Sequence, residues 1–131
     1  MLGAGLERGW VTGVAAYEAV RVMAEGNLVL GATVVVDAVN DSEAARDTWR
    51  TASRMTALPV TFVLLSVSDP TEHQRRLEQR TRELRHVGEP TWDQVRARAA
   101  AYEPWVGDHE EVDATPPLDA VINIVLERLP V

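Results

Sequence analysis

The stretch that decides the fold is GATVVVDAVN, residues 31–40, an apolar run that ends in a carboxylate and an amide. Its β-branched core at 33–38 is typical of a strand that is buried on both faces of a parallel sheet. In open α/β sheets the carboxyl ends of the strands face the crevice in which ligands bind. The stretch therefore predicts an α/β fold with Asp37 and Asn40 near the mouth of the sheet.

Helical and strand patterns alternate along the rest of the chain. The Asp69-Pro70-Thr71-Glu72 segment predicts a helix start, and Thr91 with Gln94 predicts a capping box. Two strands joined by a helix predict a right-handed β-α-β unit with parallel strands. We predict five helices, at 13–30, from an N-cap at Asp41 or Ser42 to about 56, and at about 70–85, 91–102 and 118–129. The helices are predicted to cover a small parallel sheet with strands at about 33–38, 60–67 and 110–113.

Composition limits the class of protein. With 131 residues the chain is predicted to form a single domain spanning 1–131. The net charge of −7 argues against nucleic-acid binding, which rewards clustered cations. Cysteine is absent, so disulfides and thiolate metal sites are excluded within these residues. No apolar run has the length of a membrane span and the start lacks a signal-peptide layout, which predicts a cytoplasmic protein without membrane contact.

Lysine is also absent, because all 13 basic residues counted as Lys or Arg are Arg. A phosphate-binding loop of the form G-x-x-x-x-G-K-[ST] needs its Lys to reach the phosphates. No such motif occurs in the 131 residues. The sequence thus resembles the back half of a nucleotide-handling fold without its front half.

Asp37 and Asn40 are the first candidates for chemistry. A carboxylate at a strand end can orient a hydroxyl, accept its proton or reach a hydrated magnesium ion, and the amide can hold the same substrate. The structural alternative is that Asp37 binds a loop amide and that Asn40 only turns the chain.

The arginines at 75–85 are the second candidates. Arg76 and Arg80 lie one helical turn apart, so their guanidinium groups can grip phosphate oxygens. The alternative is an ordinary solvated helix face, because Glu72 with Arg76 and Glu78 with Arg82 form favourable i,i+4 pairs. The three histidines lack ligand spacing, so no metal site is predicted.

Five segments, in order, resemble a known family. They are AEGNLVLG at 24–31, VDAVN at 36–40, SDPTEHQRR at 68–76, PTW at 90–92 and YEPW at 102–105. From about Gly13 to Leu129 the chain resembles the bacterial P-loop small-molecule kinases, labelled AAA-family or zeta-toxin-like ATPases. In that family a strand, the phosphate loop and a further strand precede the helix that begins here, so the resemblance implies the C-terminal part of an incomplete, three-layer P-loop kinase-like fold.

The resemblance also implies roles for particular residues. Asp37 would face substrate or magnesium as a catalytic residue, Asn40 would line the acceptor pocket, and Arg76 and Arg80 would be catalytic residues of a mobile lid over the phosphates. ATP and Mg²⁺ would be bound by the full-length family fold, and neither is expected to bind tightly to this chain.

Two functions follow as expectations. The first is ATP-dependent phosphoryl transfer to a small hydroxylated acceptor in the full-length form, with this chain inactive because the phosphate loop is absent. The alternative is a non-catalytic α/β interaction module that needs a partner strand. In either case we expect self-association or a partner at the vacant central strand position.

Overall fold

The computed structural model describes residues 10–80 and 88–130. Within them the helices are α1 (Trp10–Val29), α2 (Glu43–Thr56), α3 (Pro70–Gln79), α4 (Trp92–Ala100) and α5 (Leu118–Arg128), and the strands are β1 (Val63–Ser66) and β2 (Glu110–Asp113). The fold is α/β, as predicted. The chain divides into two compact units, the first formed by the described residues up to 60 together with 101–104, and the second by the remainder.

The first unit is built on helices α1 and α2, which pack against each other. Gly31, with a φ of 84°, follows the end of α1 and donates its N–H to the carbonyl of Leu28 over 2.9 Å. Ser42 caps α2 by accepting a hydrogen bond from the Ala45 N–H, 3.2 Å from the Ser42 Oγ. Both boundaries confirm the predicted ends, because glycine tolerates positive φ and serine satisfies the open N–H groups of a first turn.

The second unit contains the sheet. Strands β1 and β2 are parallel, with Val63 opposite Glu110 and Ser66 opposite Asp113. Val112 is 1% exposed, and helix α5 covers β2 with its buried Val121. The predicted strand at 110–113 is confirmed, and the one at 60–67 is confirmed over Val63–Ser66.

The predicted strand at 33–38 is wrong. The sheet has two strands, and no backbone group of residues 33–38 has a hydrogen-bond partner within the described parts of the chain. The predicted β-α-β unit and the three-stranded sheet therefore do not form. β-branched residues favour an extended chain, but a strand is completed only by a neighbour that supplies donors and acceptors. Here β1 pairs with β2 instead.

Helix α3 is shorter than predicted. Asp69 caps it as expected, accepting from the N–H of Thr71 at 2.9 Å, with Pro70 in the first turn. The helix ends at Gln79 and not near residue 85, because Arg80 takes an extended backbone conformation. The predicted helical residues 81–85, Arg82 among them, lie outside the described residues.

The predicted capping box is confirmed. Thr91 donates its N–H to the side chain of Gln94 over 2.9 Å, and its Oγ1 accepts the N–H of Gln94 over 3.3 Å. Among the helices that the structure describes, none has the length and apolar character needed to cross a bilayer.

Candidate functional site

An open groove of about 250 Å³ runs along the first unit. One side is formed by the apolar face of α1 and the other by the unpaired segment, and the lining residues are Val20, Met23, Ala24, Asn27, Val34, Val35, Val36 and Asp37. Asn27 donates its side-chain amide to the carbonyl of Met23 over 2.8 Å. The groove is thus apolar along most of its length, with Asp37 as its single charged residue.

Asp37 is exposed, and its carboxylate has no hydrogen-bond or ion-pair partner among residues 10–80 and 88–130. It follows the apolar run at 33–36, as the sequence indicated. The structural alternative, a bond from Asp37 to a loop amide, is not observed there. The carboxylate is therefore available to accept a hydrogen bond from a ligand hydroxyl or amine.

Asn40 occupies a different place and does not line the groove. Its backbone is left-handed, with a φ of 51°, and its Oδ1 accepts a hydrogen bond from the indole Nε1 of Trp49 over 2.7 Å. Its N–H donates to the hydroxyl of Tyr17 over 3.1 Å, and its carbonyl accepts from the Nε of Arg46 over 2.9 Å. Asn40 therefore turns the chain and joins α1 to α2, which leaves its Nδ2 as the group able to meet a ligand.

Replacing Asn40 by Ala is expected to lower the free energy of unfolding by about 1–3 kcal/mol, because the Trp49 indole N–H loses its acceptor. Asn40→Asp keeps the acceptor oxygen and tolerates the left-handed backbone, so it should stay within about 1 kcal/mol of the wild type. Urea denaturation of the three proteins measures the difference. Equal midpoints for Asn40→Ala and the wild type would contradict the structural role.

Arg46 is the central residue that the sequence analysis missed. Its side chain is fully buried, and it donates to the carbonyls of Asn40, Glu103 and Pro104 at 2.9, 2.6 and 2.9 Å. It also forms an ion pair with Glu43 at 2.5 Å. The sequence did hold a signal, because Arg46 lies three residues before Trp49 and six before Ala52, on the face of α2 that is buried.

The loop at 102–104 is held from several sides. The guanidinium carbon of Arg46 lies 5.2 Å from the centre of the Tyr102 ring, and the Tyr102 hydroxyl donates to the carbonyl of Val39 over 2.9 Å. The carboxylate of Glu103 accepts the N–H of Glu43 over 2.8 Å. Arg46 thus anchors this loop to the start of α2 and to the end of the run 31–40.

Arg76 belongs to the second unit, where it acts as a clamp. Its Nε donates to Glu72 over 2.6 Å, and its two terminal nitrogens donate to the carbonyls of Ala114 and Thr115 over 2.6 and 2.5 Å. The guanidinium fork therefore holds the loop that follows β2 against α3. The ion pair between Glu72 and Arg76, which the solvated-face alternative predicts, is present. Arg76 also donates to two backbone carbonyls, so its side chain is more than a solvated charge.

Arg80 is placed differently from Arg76. It follows the last residue of α3, its side chain is 41% exposed, and its Nε lies 3.9 Å from the carboxylate of Glu89. The structure thus gives the two arginines separate partners. The structure does not place the guanidinium groups of Arg76 and Arg80 where both could contact the same ligand.

Two carboxylates of the second unit are held ionised by their donors. Asp113, at the end of β2, accepts 2.6 Å bonds from the hydroxyls of Ser68 and Thr115, which lower the pKa of its carboxyl well below the ordinary range. Bonds from Arg75 and then Arg76 lower the pKa of Glu72 to about 2. Both groups therefore favour the folded state in their charged form.

This lowering of the pKa predicts a loss of stability in acid. The contribution of Glu72 is fully present above its unfolded pKa of 4.5 and is lost as pH falls toward about 2. The thermal midpoint should therefore exceed that of Glu72→Gln by a constant amount above pH 5, and this difference should shrink below pH 4.5. Thermal scans of both proteins from pH 7 to pH 2 measure it. A difference that stays constant to pH 2.5 would be inconsistent with this role.

The described residues contain no group of three or more His, Cys, Asp or Glu side chains placed to hold a metal ion. A family model described as an AAA domain matches residues 7–102, which is more than half of the chain. No curated protein matches the chain, and no solved structure matches it.

Proposed function

Because the chain belongs to the AAA domain family, a family of P-loop NTPases, we propose that it supplies the acceptor-binding part of a small-molecule kinase. The reaction is transfer of a phosphoryl group from a nucleoside triphosphate to a small hydroxylated acceptor. The observation that carries the proposal is Asp37. It is an exposed carboxylate at the end of an apolar run, and it has no partner within the described residues.

The chemistry assigned to Asp37 is that of a positioning group and base. Its carboxylate accepts the hydrogen bond of an acceptor hydroxyl, which fixes the direction of the oxygen lone pair that attacks. It also takes the proton as the new bond forms. Groups of this kind contribute about 10²–10⁴-fold to a rate.

Residues 10–80 and 88–130 do not fit a bound triphosphate. AAA domain proteins generally bind ATP with Mg²⁺, and P-loop proteins hold the phosphates with loop amides and a Lys. The 131 residues have no Lys. Arg46 is buried against carbonyls, and the fork of Arg76 is bonded to two more. Phosphoryl transfer therefore requires a phosphate-binding segment beyond those residues.

The 131-residue chain is expected to show no saturable heat on calorimetric titration with Mg-ATP, because its sequence contains no G-x-x-x-x-G-K-[ST] loop and no Lys. The Arg80→Ala variant should give the same titration curve, because contact between an exposed Arg side chain and a phosphate is too weak to produce saturable binding. Saturable binding with micromolar affinity would contradict the proposal.

A further inference from the structure

Asn40 and Tyr17 present hydrogen-bond donors whose directions are fixed by other contacts. The Oδ1 of Asn40 accepts the indole N–H of Trp49 over 2.7 Å, so the Nδ2 must be the outer end of this amide. The hydroxyl oxygen of Tyr17 accepts the N–H of Asn40 over 3.1 Å, and the Tyr17 ring packs 5.4 Å from that of Trp49. Within residues 10–80 and 88–130 neither the Nδ2 hydrogens nor the phenolic hydrogen has an acceptor.

The backbone that carries Asn40 is held by three donors in succession. The carbonyls of residues 39–41 each accept a hydrogen bond of 2.9 Å, in turn from the hydroxyl of Tyr102, the Nε of Arg46 and the N–H of Glu103. A binding group that is already held in place loses little conformational freedom when its ligand arrives. The donors of Asn40 and Tyr17 are therefore well prepared to bind a ligand atom.

The two donors lie at the Asp37 end of the groove. The chain reverses at Gly31, so α1 and the run 33–38 pass each other in opposite directions. Asn40 follows Asp37 by three residues, and Tyr17 lies one helical turn before Val20, which lines the groove. The hydrogen bond between Tyr17 and Asn40 joins the two elements just beyond this end.

The charge at this end of the groove favours an uncharged ligand atom. Asp37 is the charged residue of the groove lining, and a second carboxylate placed beside it would be repelled. The donors of Tyr17 and Asn40 are themselves neutral groups. An uncharged hydroxyl oxygen has two lone pairs, so a single such oxygen can accept from both of them.

We propose that Tyr17 and Asn40 together bind a second oxygen of the acceptor, which makes neutral vicinal diols, as in polyols and sugars, the substrate class. This inference rests on the proposed function and deepens it. One hydroxyl of the diol donates to Asp37, and its neighbour accepts from the Tyr17 hydroxyl and the Asn40 Nδ2. Tyr17 and Asn40 thus select the acceptor, whereas Asp37 takes the proton.

The test uses the 131-residue chain and three ligands built on one six-membered ring: cis-cyclohexane-1,2-diol, cyclohexanol and cis-2-hydroxycyclohexane carboxylate. NMR titration with the diol should shift the side-chain amide signals of Asn40 in a saturable manner. Cyclohexanol should bind about tenfold more weakly or worse, because it lacks the oxygen that accepts two hydrogen bonds. The hydroxy acid should bind more weakly than the diol, because its carboxylate lies beside Asp37.

Two variants remove one donor each. Tyr17→Phe should lower the affinity for the diol about three- to tenfold and leave that for cyclohexanol unchanged. Asn40→Asp keeps the acceptor for Trp49 but replaces the Nδ2 donor by an oxygen, so the preference for the diol should disappear while the fold is kept. Tyr102→Phe is the matched control, because it removes a tyrosine hydroxyl that supports the same run through Val39. It should leave the preference unchanged.

Asp37→Ala separates this inference from the proposed function. It should weaken the diol and cyclohexanol by the same factor, since both give a hydroxyl to Asp37. Unchanged affinities in this variant, with the preference for the diol preserved, would contradict the proposed base and still support the site of Tyr17 and Asn40. Absence of saturable diol binding, equal affinity for diol and cyclohexanol, tighter binding of the hydroxy acid, or equal weakening by Tyr17→Phe and Tyr102→Phe would overturn the site.

Discussion

Replacing Arg46 by Ala is expected to lower the free energy of unfolding by about 3–5 kcal/mol, which is enough to unfold a domain of ordinary stability. The side chain is fully buried, and its removal leaves the carbonyls of Glu103 and Pro104 without their donor and the Glu43 carboxylate without this cation. Urea denaturation followed by far-UV circular dichroism measures the change.

Arg50→Ala is the matched control. Arg50 lies one turn further along α2, pairs with the same Glu43 at 2.9 Å, and is 27% exposed. Its loss should cost less than about 1 kcal/mol, because both side chains of this pair stay in partial contact with water. Arg46→Lys keeps the charge but not the planar fork, so it should fall between the two. An Arg46→Ala midpoint equal to that of Arg50→Ala would refute the anchoring role of Arg46.

The second large effect concerns Asp37. In a protein extended at its N terminus by a strand, a G-x-x-x-x-G-K-[ST] loop and a further strand, Asp37→Asn should lower turnover by about 10²–10⁴-fold. The amide keeps the shape of the side chain but cannot take the acceptor proton. Nucleotide affinity should change little, because Asp37 acts on the acceptor. Steady-state kinetics with a separate nucleotide-binding titration distinguishes the two quantities.

Arg80→Ala provides the comparison in the same extended protein. The resemblance implies that Arg80 contacts charge developing on the transferred group, so its loss should lower turnover while the thermal midpoint stays nearly constant. A lowered midpoint with intact turnover would favour a structural role at the end of α3. Unchanged turnover of Asp37→Asn would show that Asp37 is not the base.

Local signals in the sequence predicted local structure well. Ser42, Asp69 and the Thr91 to Gln94 box mark helix starts because each side chain bonds N–H groups two or three residues away. The strand at 110–113 was predicted to the residue. Each of these features depends on neighbours in the chain, so the residue types alone carry the information.

Features that depend on distant residues were not predictable in this way. The run at 33–38 has the composition of a strand, but pairing is decided by which other segment lies beside it, and β1 pairs with β2. Arginine is rarely buried, so a buried role for Arg46 was not predicted from its position on the apolar face of α2. The carbonyls that Arg76 binds lie 38 and 39 residues away, beyond any helical periodicity.

The most direct test of the central claim compares phosphoryl transfer by the 131-residue chain and by the N-terminally extended protein. Both are incubated with γ-labelled ATP, Mg²⁺ and a panel of small hydroxylated compounds, and labelled product is measured. The account predicts labelled acceptor only with the extended protein, and loss of that product with Asp37→Asn. Label transfer by the 131-residue chain alone, or an extended protein that binds ATP yet labels no hydroxylated compound, would contradict it.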